Sequence, residues 1–194
     1  MDVIYYNKAT ALTNKVLLCG SSRIMVVGTS GSGKSTLGKK LSKALGLHNI
    51  ELDALFWEAN WKQTGLPDFR RKIVEELKGK NGFIINGNYS KTKDLTWGKC
   101  DVLLWLDYPR WLVMWLVVKR TIFRVCTGKK LWHGNAETLQ KAFFSKDSII
   151  LWAWNTYRLR KREYAGFVKN NEVGVKTVII LKKPGFARLL LASL

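Results

Sequence analysis

The stretch Gly28-Thr29-Ser30-Gly31-Ser32-Gly33-Lys34-Ser35 meets every fixed position of the pattern G-x-x-x-x-G-K-[ST]. A loop of this kind wraps phosphates with its own amides, and glycines keep side chains out of the way of that approach. Lys34 is suited to sit as a point charge on the β- and γ-phosphates, and the Ser35 hydroxyl to reach Mg²⁺. Thr36 directly follows. The expected ligand is ATP with Mg²⁺, held by Gly28 to Thr36.

Further side chains capable of chemistry recur along the chain. Asp53, about twenty residues past the loop, could accept a hydrogen bond from an acceptor hydroxyl and take its proton. The bland reading is an Asp that caps a helix or sits in a surface turn. Phe56, Trp57 and Trp61 follow, as acceptor-pocket walls or as core. Asn86, Asn88 and Tyr89 stand in "NGNYS" as acceptor-binding candidates, and Asp107 as the acid of the magnesium shell. Arg120 and Arg124, then Arg158 and Arg162, are four-apart pairs suited to a lid that closes over phosphates. The competing reading of each is a solvated basic helix face.

The elements needed to position these residues are legible. Ile24–Val27 is a β-branched run fit for a strand buried on both faces. Leu37, Leu41, Ala44 and Leu45 recur at helical spacing, so the loop opens a helix N-terminus, whose dipole favours anions. "HNIEL" (48–52), "GFIIN" (82–86), "VLLWLD" (102–107) and "KTVIIL" (176–181) read as further strands. Helices are expected over "LPDFRRKIVEELKGK", from Pro109 to about Cys126, from Glu137 to about Lys169 with a break near Ser145, and over "ARLLLASL". Alternating strands and helices imply a doubly wound parallel sheet, in which ligands sit at the carboxyl ends of strands. The loop, Asp53, Asn86–Tyr89 and Asp107 all fall there.

Composition sets bounds on the rest. The 194 residues fit one α/β domain, and the net charge is +19. Residues 1–100 contribute +8 and residues 101–194 contribute +11, so the excess is spread along the chain. It would attract ATP or nucleic acid non-specifically, and it also occurs as a solubility feature. Cys19, Cys100 and Cys126 suggest neither a disulfide framework nor a zinc site. No signal segment or membrane span is expected; the expectation is a soluble cytoplasmic protein with no membrane partner and an oligomeric state that is not readable.

Tyr108 follows Asp107 where motor ATPases place a water-activating Glu. The two N-K pairs, Asn7-Lys8 and Asn14-Lys15, precede the phosphate loop and lack the Asp of a guanine-specificity motif. Transfer of the ATP γ-phosphate to a small acceptor, nucleoside- or nucleotide-like, is the favoured reading. The alternative is an ATP-dependent nucleic-acid-binding or regulatory protein with weak ATPase activity, drawing on the Trp and Arg residues interleaved over 152–162.

The segments "RIMVVGTSGSGKSTLGKKLSKALGL", "ELDALFW", "FIINGNYS", "DVLLWLDYPRW" and "LWHGNAETL", followed by "SIILWAWNTYRLRKREY", occur in an order that resembles a bacterial family of adenylate-kinase-like P-loop proteins. Its members are often labelled "DNA topology modulation protein". The resemblance covers residues 23 to about 182. It implies a three-layer α/β P-loop fold with a five-stranded parallel sheet of nucleoside/nucleotide-kinase type, an ATP site and an Arg-bearing lid. Residues 1–22 are then an extension of unreadable role, 23–194 the kinase-like domain, and approximately 119–170 the lid. Relatives carry Asp where Asn86 stands here, and a longer residue in place of Ala136. The G-F-P-R motif with which adenylate kinases grip AMP is absent, so AMP is not the expected acceptor.

Overall fold

The computed structural model of the chain describes residues 1–6, 22–138, 145, 148–170 and 175–194. Six strands form one sheet: β1 (Asp2–Tyr5), β2 (Arg23–Gly28), β3 (His48–Glu51), β4 (Phe83–Asn86), β5 (Val102–Leu106) and β6 (Thr177–Leu181). Their spatial order is β1-β6-β5-β2-β4-β3, and every neighbouring pair is parallel. The helices are α1 (Lys34–Leu45), α2 (Leu52–Phe56), α3 (Leu66–Leu77), α4 (Lys93–Thr96), α5 (Arg110–Thr127), α6 (Ile149–Asn170) and α7 (Pro184–Ala192).

Strand alternation sends Ile24, Val26, Leu104 and Ile179 to one core, with Leu37, Leu41, Val113 and Val117 from α1 and α5. Met25, Val27, Leu103 and Ile180 go to the other, with Phe69, Ile73 and Leu77 from α3. All five residues of β5 are buried, as are all five of β6, as a parallel sheet covered on both faces requires. The result is the expected three-layer α/β sandwich.

It has one strand more than expected. Residues 2–5 come from the segment set aside as an extension, and they pair with β6 in the register Asp2↔Thr177 to Tyr5↔Ile180. Asp2 N–H donates to the Lys176 carbonyl and Tyr6 N–H to that of Ile180, both at 3.0 Å. Behind them the Tyr6 ring is buried and lies 5.7 Å from that of Phe186. The two N-K pairs and Cys19 lie outside the described residues.

The last long helix also differs from expectation. Glu137 and Thr138 are not helical, and α6 begins at Ile149, where the Ser148 hydroxyl accepts from the amides of Ile150 (3.2 Å) and Leu151 (3.4 Å) as an N-cap. The rest of the expected stretch before it, 139–144 and 146–147, lies outside the described residues. Helix α6 buries Ala153 and Tyr157 in one core and Tyr164 in the other. It therefore crosses over the sheet at the strand ends, where Tyr157 Oη donates to the Tyr108 carbonyl (2.8 Å) and Tyr164 Oη to that of Gly28 (3.3 Å).

Asn86, expected to bind an acceptor, is engaged inside the protein instead. Its side chain is buried, and Nδ2 donates to Asn49 Oδ1 at 3.1 Å and to the Ile50 carbonyl at 3.3 Å, tying β4 to β3. Helix α1 lies against this pair. A Cβ on Gly38 would come within 2.9 Å of Asn86 Nδ2 and 3.0 Å of Asn49 Oδ1, so glycine permits the approach.

Two stability predictions follow from these contacts. Asn86→Asp removes the shared donor and leaves buried acceptors facing a carboxylate, a loss on the order of 3 kcal/mol in urea unfolding. At the sheet edge, alternation directs the amides of residues 2, 4 and 6 to β6. Ile4→Pro is expected to cost about 3 kcal/mol, and Val3→Pro, whose amide faces away, much less.

Candidate active site

The phosphate loop joins the end of β2 to the start of α1. Gly31 (φ 80°) and Gly33 (φ 95°) adopt left-handed backbone that other residues enter only under strain. Gly31 is also pressed from above: a Cβ there would lie 2.1 Å from Val117 Cγ2 of α5. A Cβ on Gly33, the α1 N-cap, would meet nothing within 4 Å. The buried Thr29 Oγ1, Ser32 Oγ and Arg120 Nε have no protein hydrogen-bond partner. Open space before a helix N-terminus, lined by unpartnered polar atoms and cations, fits a polyphosphate. Ser35 is half-buried at the first turn of α1 and Thr36 is exposed there, while Ser30 sits half-buried in the loop.

Lys34 Nζ donates to the Thr29 carbonyl at 2.9 Å. Burial lowers its pKa to about 8; Asp53 pulls the other way, and the charges of Arg120 and Arg160 add to the fall. Burial likewise lowers Arg120 to about 10, with Arg124 contributing and Glu137 and Asp53 opposing. Lys34 thus lies within reach of the charges of Arg120 and Arg160, and both Lys34 and Arg120 feel the Asp53 carboxylate. Arg124 is not free in this group: its Nη1 donates to Glu137 Oε1 at 2.6 Å.

Arg158 and Arg162, expected at the phosphates, are exposed on the outer side of α6. Inward lie Arg160 and Lys161, between the two tyrosine anchors. The helical phase explains the exchange: with Tyr157 and Tyr164 buried, residues three and four positions after Tyr157 share their face. That signal was present in the sequence as two tyrosines seven apart. Arg160 is braced by Glu163 Oε2 at 2.9 Å.

Asp107, expected in the magnesium shell, is buried beyond β5 and ion-paired with two lysines. Lys161 Nζ lies 2.9 Å from Oδ1, and Lys182, just after β6, contacts Oδ2. Burial works against the Lys161 charge, yet the Asp107 hydrogen bond and charge raise its pKa overall. The carboxylate is thus a counter-charge that fastens α6 and the end of β6 to the end of β5. Mg²⁺ would fit the site together with phosphate oxygens, and Ser35, in the first turn of α1, is the residue that would hold it. Among the described residues no group of three or more His, Cys, Asp or Glu could hold a metal alone.

Asp53 lies in the first turn of α2. Tyr89 Oη donates to its Oδ1 at 2.7 Å, and burial together with that carboxylate pushes the phenol well above its usual pKa, so it remains a donor. Tyr89 in turn packs on Phe56 (4.7 Å between centroids) and Phe69 (4.9 Å). The Trp57 ring stands edge-on to Phe56 at 5.1 Å and to Trp61 at 5.7 Å. Asn88 is half-buried in the same loop as Tyr89. The aromatic residues are thus wall and support together.

The loop that precedes α6 closes against this side. Asn135 accepts from the Trp61 amide at 2.9 Å and donates to the Glu58 carbonyl at 2.8 Å. Trp132 Nε1 donates to Glu51 Oε2 at 2.8 Å, and Glu51 Oε1 lies 2.9 Å from Lys39 Nζ. Trp61 Nε1 reaches the Ala136 carbonyl at 3.2 Å, a contact made through backbone that is indifferent to the side chain at 136. Among the described residues, the three non-glycine positions with positive φ are Asn60, Trp61 and His133, and all line the cavity where these loops meet. None of these latch residues was singled out as such from the sequence.

No family model matches the chain. Shikimate kinases match part of it: 30% identity over 99 residues with that of Synechococcus sp. (strain RCC307), covering 44% of this chain and 51% of that one. The enzyme of Corynebacterium glutamicum is 31% identical over 100 residues, covering 44% and 58%. The chain therefore spans about half the length of the curated relatives it matches. Among solved structures, a gluconokinase from Sinorhizobium meliloti 1021 superposes with TM-score 0.50 at 20% identity, covering 89% of this chain and 90% of that one. A shikimate kinase from Acinetobacter baumannii in complex with shikimate gives 0.52 at 13% identity, covering 92% and 93%. The architecture is that of the P-loop kinases.

Proposed function

We propose that the chain is an ATP-dependent phosphotransferase that moves the γ-phosphoryl group to a hydroxyl of a small acceptor. The observation that carries this reading is the grouping of Lys34, Arg120 and Arg160 with Asp53 at the mouth of the phosphate loop. Three cations suit the charge that spreads over the equatorial oxygens of a phosphoryl group in transfer. Asp53 suits the acceptor side: it would receive the hydroxyl proton as the new O–P bond forms and the bond to the β–γ bridging oxygen breaks. The partial matches to shikimate kinases support the same reaction class, a small molecule as acceptor. MgATP supplies the phosphoryl group, with Mg²⁺ offsetting charge on the β- and γ-oxygens.

The acceptor class we favour is a ring-bearing hydroxyl compound, nucleoside-like in size. Phe56, Trp57 and Tyr89 offer apolar ring faces beside Asp53, and flat acceptors suit such walls. The closed contact of the 132–136 loop with Trp61 would exclude water during transfer, which limits loss of the phosphoryl group to hydrolysis. AMP does not enter this reading, since nothing stands here for the arginine motif of the adenylate kinases.

Two measurements test the reading. With γ-labelled ATP, Mg²⁺ and a panel of small hydroxyl acceptors, label is expected on an organic acceptor and to be lost in Lys34→Ala. Label confined to inorganic phosphate with every acceptor would overturn it. Within an active assay, Arg160→Ala is expected to lower kcat by about 10² to 10³ and Arg158→Ala to leave it within about twofold. The second measurement concerns protons. Phosphate raises the Lys34 pKa above its free value of about 8. The complex then binds more protons than the free protein above that pH, so affinity holds below it and falls as pH rises through it. The Kd for MgATP should weaken about tenfold from about pH 7 to about pH 9, with heats that depend on the buffer; a flat profile would place Lys34 elsewhere.

A further inference from the structure

Helices α5 and α6 carry the phosphate-site cations on their inner faces, and their outer faces have a different composition. Four tryptophans stand at least half in solvent, and all four are on these helices: Trp111 (72% exposed), Trp115 (55%), Trp152 (54%) and Trp154 (50%). Exposed aliphatic and aromatic groups extend the stripe along α5 through Ile122 and Phe123, and along α6 through Leu151 and Leu159. Exposed apolar side chains in this number, concentrated on two helices, mark an interaction site.

The two helices meet at the start of α5. Arg110, at the start of α5, donates from Nη2 to the Trp154 carbonyl at 3.0 Å and lays its guanidinium 3.4 Å from the Trp154 ring centroid. Lys119 Nζ lies 4.9 Å from the Trp115 ring centroid. Arg158 and Arg162 are exposed on α6. Helix α5 contains no acidic residue, and the single one in α6, Glu163, is engaged by Arg160. Among the described residues of the two helices, the face therefore offers indole rings, aliphatic side chains and cations, with no unengaged carboxylate.

We propose that this face docks reversibly on an anionic lipid bilayer. Indole rings partition to the headgroup region, and Lys and Arg cover apolar surface with their stems while their heads meet anionic lipids. The chemistry selects this partner over others. A second copy would bring one cationic face against another on chains of net charge +19. Bases would stack on the tryptophans but would find no use for exposed Ile122, Leu151 and Leu159. No helix among the described residues is long and apolar enough to cross a membrane, so the association is lateral. It departs from the sequence expectation of no membrane partner.

The test uses the full chain with vesicles of phosphatidylcholine alone or with about one third phosphatidylglycerol. Co-sedimentation and a blue shift of tryptophan emission are expected with the anionic vesicles only. Trp111→Ser with Trp152→Ser, and separately Lys119→Glu with Arg158→Glu, should each weaken partitioning at least about tenfold. Lys40→Glu with Lys43→Glu makes the same charge change on exposed α1 and should keep most of the binding. Should the tryptophan variant fail to fold, the charge-reversal pair against its α1 control still decides. The proposal is overturned if wild type ignores anionic vesicles, or if the α1 control loses as much as the patch variant. It is equally overturned if vesicles are ignored while single-stranded oligonucleotides or self-association claim the face.

Discussion

The repulsion that Lys34 feels from Arg120 and Arg160 is the constraint around which the molecule is arranged. Each is brought in on a different helix, and burial makes the Lys34 and Arg120 charges costlier to keep. The surrounding structure answers with carboxylates set one step back: Asp53 among the cations, Glu137 on Arg124, Glu163 on Arg160 and Asp107 on Lys161. It also answers with contacts that fix where the helices stand. Val117 bears on Gly31, and the Tyr164 hydroxyl is bonded to the Gly28 carbonyl. A polyphosphate would relieve the repulsion that these contacts contain, which makes binding energy available where phosphoryl transfer needs it.

What could be read from sequence follows from what kind of residue carries the information. The phosphate loop was legible because its chemistry resides in the backbone, and only glycine at fixed spacing permits that backbone. The buried strands were legible because a sheet covered on both faces demands unbroken apolar runs. Strand β1 was not, because "DVIY" is an edge strand with three of its four residues exposed, and no run marks it. Of the expected lid arginines, Arg158 and Arg162 turn outward, because four-apart spacing fixes only that two residues share a face. Which face turns inward was fixed by Tyr157 and Tyr164, whose hydroxyls cap the strand ends. Asn86 was misread for a related reason. A strand-end position suggests the crevice, but strand alternation pointed this side chain into the layer beneath α1. Asp107 stood where expected, and its lysine partners came from elements 54 and 75 residues away in the chain.

Strain and closure coincide on the acceptor side. Asn60, Trp61 and His133 adopt backbone that costs on the order of 1 kcal/mol each, and they do so where two loops clasp each other. Four hydrogen bonds through Asn135, Trp61 and Trp132 hold the clasp. A clasp of this sort, partly offset by strain, sits closer to balance than its hydrogen bonds alone suggest. Opening to admit an acceptor then needs no disturbance of the sheet, since neither loop contributes to its ladder.

The sheet order also imposes a timetable on the chain during synthesis. Strand β6 lies between β1 and β5, yet 75 residues separate it from the end of β5 to the end of β6. Until Thr177–Leu181 has left the ribosome, β5 has an open edge and β1 has no neighbour at all. The nascent chain must therefore hold a four-strand half-sheet, β5-β2-β4-β3, with the unpaired backbone of Val102–Leu106 exposed to any passing strand. Completion comes as an insertion between two waiting edges, which makes β6 the natural point for chaperone protection and for stalled, aggregation-prone products.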